Sequence, residues 1–219
     1  MSVVERVLGR AGRDVDATCG RIDGAVLEIA PMRRRDLRDG VLETERHAYP
    51  SPWSTSVFQS EVDQMRSGTR HYVTARLVAP GPDRGGVRDR PAHRGAHGRI
   101  VGHAGLWFTG DEAHVTNVAV HPDLRRTGVG RELMLVLADE VVRRGCAAWT
   151  LEVRASSRGA QQLYHRFGFV PAGVRVRYYE NVEDAIVMWC HDVSTEEYAA
   201  RLDALRDRPL RHATGESPR

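Results

Sequence analysis

The sequence predicts a mixed α/β protein folded as one domain, on three observations. Short apolar runs rich in β-branched residues alternate with stretches whose apolar residues recur at three- and four-residue spacing. One stretch, residues 117–131 (NVAVHPDLRRTGVGR), reads as a strand, a tight loop and the first turn of a helix in direct succession. The 219 residues, with 41% hydrophobic and 28% charged side chains, suffice for one good core and match a soluble globular composition.

Residues 1–23 carry Arg, Asp and Gly without a sustained apolar period and read as a mobile leader; the domain proper spans 24–191. GAVLEIAPM, 24–32, suits a first strand, ended by Pro31. Residues 33–49 follow as one amphipathic helix with Leu37, Val41, Leu42 and Glu45 on its stripe. Two prolines, Pro50 and Pro52, then forbid regular structure, and Ser54 is placed to cap a second helix. Trp53 between them either lines a pocket or pins the helix corner to the core. HYVTARLVA (71–79) and RIVGHAGLWFT (99–109) are strands that would pair as a hairpin. Between them, 80–98 is too rich in Pro, Gly and Arg to pack and reads as a disordered insert; it lacks aromatics for base stacking, so no specific nucleic-acid role is assigned.

A fourth strand, 113–120, leads into the 122–130 loop, which is built to hold an anion. Glycines let successive amides turn toward one point, the new helix adds its unpaired N–H groups, and Arg125, Arg126 and Arg131 supply positive charge. A diphosphate would fit there. The helix behind it presents Leu133, Val136, Leu137 and Val141 to the core. In the fifth strand, AAWTLEV, Trp149, Leu151 and Val153 point one way while Thr150 and Glu152 point the other. A carboxylate in an apolar strand is costly unless it is hydrogen-bonded, wet or working, so Glu152 stands out. A helix with Ala160, Leu163, Tyr164 and Phe167 follows, then two more strands with Tyr178, Tyr179 and Glu180 at their junction. Residues 192–219 keep helical spacing only at Tyr198, Leu202 and Leu205 and form a partly disordered extension that docks or dangles.

Charge, cysteines and hydropathy bound the setting. A net charge of +3 suits polyanionic company without demonstrating any. Three widely spaced cysteines indicate neither a disulfide framework nor a thiolate zinc site, and His93 and His97 lack further ligands, so no metal is expected. No apolar run is long enough for a membrane span and the N-terminus has no signal-type segment. A cytoplasmic monomer with no membrane partner is the expectation.

The loop does not match the dinucleotide or triphosphate patterns; it reads R-x-x-G-x-G over 125–130. With L-E-V-R-A-S at 151–156, L-Y-x-x-x-G-F at 163–169, R-x-R-Y-Y at 175–179, and E-D-A-I-x-M at 183–188, the chain resembles the RimI family of the GNAT superfamily, from about Ala25 to Trp189. Pro50 to Ser54 is similar to that family's F-P-W-S loop, with Ser51 as a departure from it. The resemblance implies a GNAT acyl-CoA N-acyltransferase fold: a central, mostly antiparallel seven-stranded sheet flanked by helices, splayed between strands four and five. It implies acetyl transfer from acetyl-CoA to the N-terminal alanine of a small-subunit ribosomal protein. By motif, Glu152 corresponds to the proton acceptor and Tyr164, twelve residues later, to the proton donor. Val118, Ala119, Val120, Arg125, Arg126, Thr127, Gly128, Val129, Gly130 and Arg131 match the acetyl-CoA contacts, with Ser157 where the family has Asn. Pro52, Trp53, Tyr178, Tyr179 and Glu180 would close over the acceptor peptide, the acids favouring a basic one. Acetylation of a small amine or another protein, or an acetyl-CoA-sensing module, are the alternatives.

The chemistry asks for these groups independently. An α-amino group of pKa about 8 is mostly protonated at neutral pH and cannot attack a thioester until a base takes its proton. Burial would raise the Glu152 carboxyl toward a useful range, and a phenol at Tyr164 could protonate the departing thiolate.

Overall fold

A computed structural model describes residues 17–79 and 98–213. Its first hairpin joins β1 (Ala17–Ile22) to β2 (Ala25–Pro31) through Asp23 and Gly24, both left-handed at φ 49° and 83°, the conformation that matches the twist of paired strands. β1 thus lies within the stretch expected to be a leader and raises the strand count from seven to eight. Residues 1–16, 80–97 and 214–219 fall outside the described residues, and with them most of the expected leader, nearly all of the Pro/Gly/Arg-rich insert, His93 and His97, and the chain's last residues.

The strands β3 (Arg70–Val78), β4 (Arg99–Thr109), β5 (Glu112–Val120), β6 (Ala148–Arg154), β7 (Val170–Tyr179) and β8 (Glu183–His191) complete one sheet of order β1-β2-β3-β4-β5-β6-β8-β7. β3 and β4 pair antiparallel as expected, and every neighbouring pair is antiparallel except β5 and β6. That parallel pair is short: it runs from Glu112 opposite Ala148 to Val115 opposite Leu151 and stops. The register of β4 against β5 slips between Gly105 and Leu106, leaving Thr116 as an extra residue, and such a bulge bends its strand. Beyond it β5 and β6 part.

Helices cover both faces. Residues 33–49 were expected as one helix; the structure has a short turn, Arg34–Asp36, a wide turn, Leu37–Val41, and helix α1, Leu42–Ala48. The break is at Gly40, whose φ of 144° suits glycine alone and whose missing Cβ would stand 3.0 Å from Ile100 Cβ. After it α2 (Thr55–Gln64) starts at Ser54, whose hydroxyl accepts from the Val57 amide. These pieces pack Leu37, Val41, Phe58, Tyr72 and Ile100 into a small core in which Trp53 rests on Phe58 at 5.4 Å between ring centres. Trp53 therefore pins the helix corner.

The larger core lies on α3 (Val129–Arg143), whose Leu133, Leu137 and Val141 are buried, with Val136 half-buried. Trp149 is completely buried there, its ring 4.7 Å from Phe169 and 6.3 Å from Phe167. Its loss would cost about 3–5 kcal/mol, a large part of a domain's stability. α4 (Arg158–Arg166) contributes Tyr164 and half-buried Leu163. The extension docks: α5 (Glu196–Arg206), capped by Thr195, buries Tyr198, Leu202 and Leu205, and Arg206 pairs with Asp139 of α3. No helix among the described residues is long and apolar enough to cross a membrane.

Candidate active site

The loop between β5 and α3 is shaped by two left-handed residues, Arg126 at φ 68° and Gly128 at φ 108°. Gly128 starts α3 without a side-chain cap, and the first intrahelical bond is from the Glu132 amide to Gly128 O at 3.1 Å. The N–H groups of Val129, Gly130 and Arg131 therefore begin the helix with no helical acceptor. Among the described residues no group takes the amides of Arg126, Thr127 or Gly128 either, so a run of donors is open to an anion. Thr127 does not face such an anion with its hydroxyl, which donates to Leu124 O at 2.7 Å inside the core. Arg131 is also committed elsewhere: its guanidinium holds Glu132 at 2.6 Å and Pro209 O at 3.3 Å. Only its backbone amide remains for the expected contact, while Arg126 Nη1 stands 3.6 Å from where a Cβ on Gly159, in the first turn of α4, would be.

The docked C-terminal segment braces this loop from behind. The Arg211 amide donates to Thr127 O at 2.8 Å, and Leu210 fills the space a Cβ on Gly128 would need, 2.8 Å away. The loop shape is thus held by backbone and packing rather than by its arginines.

Where β5 parts from β6, the backbone of Val118 is exposed to a side chain from α1's end. The Tyr49 hydroxyl donates to Val118 O at 2.6 Å and lies 3.3 Å from the Val118 amide. Behind it the buried Glu45 accepts from the Trp53 amide at 3.0 Å, from Asn117 Nδ2 at 3.2 Å and pairs with His103 Nε2 at 3.0 Å. That network fixes the α1–α2 corner to β5.

Glu152 lies one residue past the last β5–β6 pair. Its Oε2 is 3.0 Å from His114 Nε2 and its Oε1 is 3.0 Å from Arg175 Nη2, leaving its side chain 9% exposed. The hydrogen bond from His114, opposed by burial and helped by Arg175, holds this carboxyl below its usual range. The sequence expectation of a carboxyl raised by burial is therefore reversed, because two partners outweigh desolvation. Tyr164 is buried, and burial pushes its phenol well above the usual range. Among the described residues nothing hydrogen-bonds its hydroxyl. Ser157 sits at the N-terminus of α4 with its side chain making no cap bond.

Two lips border the site. Ser51 and Pro52 are exposed, and Ser51 hydrogen-bonds the Glu180 carboxylate across to the β7–β8 turn. Arg154 holds Glu180 at 2.6 Å and Glu183 at 2.9 Å and lies over the Tyr179 ring at 4.2 Å. Tyr179 in turn donates to the Glu152 backbone carbonyl at 3.0 Å, and Tyr178 is half-exposed. Of the acids at this junction expected to favour a basic peptide, Glu180 and Glu183 are therefore already paired with Arg154, and Asp184 accepts from the Arg177 amide at 2.8 Å.

Among the described residues a single group has metal-ligand spacing, Glu43, His47 and His121. Arg99 Nη2 stands 3.0 Å from His121 Nε2, a positive charge set against a cation there.

The sequence model of the Acetyltransferase (GNAT) family matches residues 39–169, more than half the chain. The chain belongs to the GNAT acetyltransferase family. It is similar to the [ribosomal protein bS18]-alanine N-acetyltransferase of Escherichia coli K12, 35% identical over 163 residues, 73% of this chain and 94% of that one. It is 47% identical over 149 residues to the protein of the same name from Salmonella typhimurium LT2, covering 67% of this chain and 85% of that one. The crystal structure of the Escherichia coli ribosomal-protein-S18-alanine N-acetyltransferase superposes with a TM-score of 0.59 at 30% identity, over 75% of this chain and 93% of that one. The GNAT fold expected from the sequence is thus borne out, with β1 as an extra edge strand, and the chain is an N-acetyltransferase of a family that uses acetyl-CoA.

In this GNAT enzyme the sequence reading missed His114, Arg154, Arg175 and the Tyr49–Glu45 network. His114 carried a usable signal: on β5 it opposes Thr150, two residues from Glu152 on the same face. The others had none, since their partners are far apart in sequence.

Proposed function

We propose that the enzyme transfers the acetyl group of acetyl-CoA to the N-terminal alanine of a ribosomal protein. The observation that carries this is the parting of β5 and β6, with open loop amides on one side of it and Glu152 and Tyr164 on the other. The ribosomal acceptor is supported by the names of the relatives, which act on the alanine of bS18. The amides of residues 126–131, open among the described residues, and the Ser157 hydroxyl, which makes no cap bond, suit a diphosphate and its neighbouring polar groups. Acetyl-CoA supplies an electrophilic thioester carbonyl.

Each role then follows from the residues. The Val118 amide polarises the carbonyl oxygen once the Tyr49 hydroxyl, 3.3 Å away, yields it. The Glu152 centre removes a proton from the α-ammonium, and the amine so freed attacks directly, with no covalent enzyme intermediate. Tyr164, kept protonated by burial, donates to the departing sulfur. Pro52, Trp53, Tyr178, Tyr179 and Glu180 border the acceptor, the clasp among Ser51, Glu180 and Arg154 fixing the groove's width rather than its charge.

The test is a panel of N-terminal peptides, one beginning Ala-Arg, incubated with acetyl-CoA and followed by thiol release and peptide mass. Acetylation of the alanine peptide ahead of the others is expected. Transfer only to small amines would overturn the ribosomal acceptor, and binding without any transfer would point to a sensing role.

A further inference from the structure

Glu152 is poorly placed to receive a proton itself. Both of its oxygens already face nitrogen partners, His114 Nε2 and the Arg175 guanidinium, each at 3.0 Å, and its side chain is 9% exposed. His114 is three times as open, at 27%. With Nε2 turned to the carboxylate, the neutral ring that donates there carries its lone pair on Nδ1. Among the described residues no group hydrogen-bonds that nitrogen. The surroundings fix the ring: Trp107, its register neighbour on β4, packs edge-on at 6.5 Å, and Arg70 lies over the far side of Trp107 at 5.0 Å. Among the described residues the imidazole is paired with Glu152 from β6, which in turn meets Arg175 from β7, and Glu112 lies two residues back on the same face of β5.

We propose that Nδ1 of His114 is the atom that receives the acceptor's proton, with Glu152 as the carboxylate that orients the ring and stabilises its charge. The inference rests on the proton-removal step of the function above and applies to any amine acceptor. An N–H bond of the ammonium breaks and its proton passes to Nδ1, directly or through one water. The nitrogen pair so freed forms the C–N bond, and the C–S bond breaks. Sulfur takes the Tyr164 proton, and Tyr164 recovers one from the new amide nitrogen. The imidazolium, facing the Glu152 carboxylate across Nε2–H, later releases its proton to water, so the cycle sheds one proton. Glu152 held below its usual carboxylate range accords with a permanent anion beside the ring. The arrangement is that of a carboxylate–imidazole pair in which the carboxylate never carries the proton.

Two measurements decide it. The first uses whichever amine of the panel is turned over, at saturating acetyl-CoA. His114→Ala and His114→Gln should each lose on the order of 100-fold in kcat, with acetyl-CoA affinity unchanged and imidazole in the buffer restoring the alanine variant saturably. Glutamine keeps an N–H donor for Glu152 but has no basic nitrogen, so a His114→Gln variant within twofold of wild type overturns the proposal in favour of Glu152 alone. The second needs no acceptor: nitrogen NMR of histidine-labelled enzyme at pH 8 should show His114 with the proton on Nε2. A proton on Nδ1 would overturn it. Failure of the alanine peptide alone would count against the ribosomal acceptor and leave both readouts in place.

Discussion

On the proposed function the loop at 125–130 and the lips at 50–53 and 178–183 serve the same reaction, but they are built by different physics. The loop is one continuous piece of chain whose function resides in backbone amides, shaped by the left-handed Arg126 and Gly128 and backed by Leu210. The lips come from separate segments joined by side chains: Ser51 to Glu180, and Arg154 to Glu180 and Glu183. A backbone site tolerates changes of side chain so long as φ and packing survive. A side-chain clasp can be altered one residue at a time without disturbing the fold. The cofactor side should therefore be rigid in sequence and the acceptor side tunable.

The sharpest way to break this contrast is to show that chemistry and cofactor binding fall together. Tyr164→Phe should lower kcat by about 100-fold while leaving acetyl-CoA affinity within twofold, checked by steady-state kinetics and calorimetry. Because burial raises the phenol's pKa, wild-type Tyr164 stays protonated and the deficit should be the same from pH 6 to 9. Next in size is Gly128→Ala. A Cβ there meets Leu210 at 2.8 Å on a left-handed backbone, so acetyl-CoA affinity should weaken about tenfold, and peptide KM at saturating cofactor should not move.

On the other side, Arg154→Ala should raise the peptide KM several-fold and leave cofactor affinity alone. The Glu183 carboxyl is held down to about 2, first by Ser156 and then by Arg154. Its contribution is thus fully present above its unfolded value of 4.5 and is lost only as pH falls through about 2, so the Arg154 effect should be constant from pH 6 to 8. Smallest is Ser51→Ala, which removes one exposed hydrogen bond from the clasp and should shift peptide KM by no more than about twofold.

The same contrast decides what the sequence disclosed. The loop was legible because its signals are local: glycines at fixed offsets, a strand before and a helix stripe after. Glu152 stood out as a carboxylate breaking an apolar strand, and Tyr164 through the L-Y-x-x-x-G-F motif by which the chain resembles the RimI family. The clasp was not legible, because Arg154 and Glu180 are far apart in the chain and meet only through the β6–β8–β7 pairing. Arg175, Glu152's partner on β7, was hidden likewise, while His114 on β5 was overlooked despite opposing Thr150 on the same face, and the direction of the Glu152 pKa went with them. β1 was overlooked although Asp23-Gly24 is a strong hairpin turn, because ATCGRI is broken by a glycine and an arginine and shows no alternation. Gly40 read as an ordinary helix residue since nothing local says that Ile100 will lie against it.

The most direct test of the separation of binding from chemistry is Glu152→Gln, with acetyl-CoA affinity by calorimetry and kcat on the best acceptor measured on the same preparation. The account predicts unchanged affinity and a kcat lower by at least about 100-fold, since the amide keeps Glu152's shape but removes its charge. Retained turnover, or a loss of affinity that parallels the loss of turnover, would contradict it.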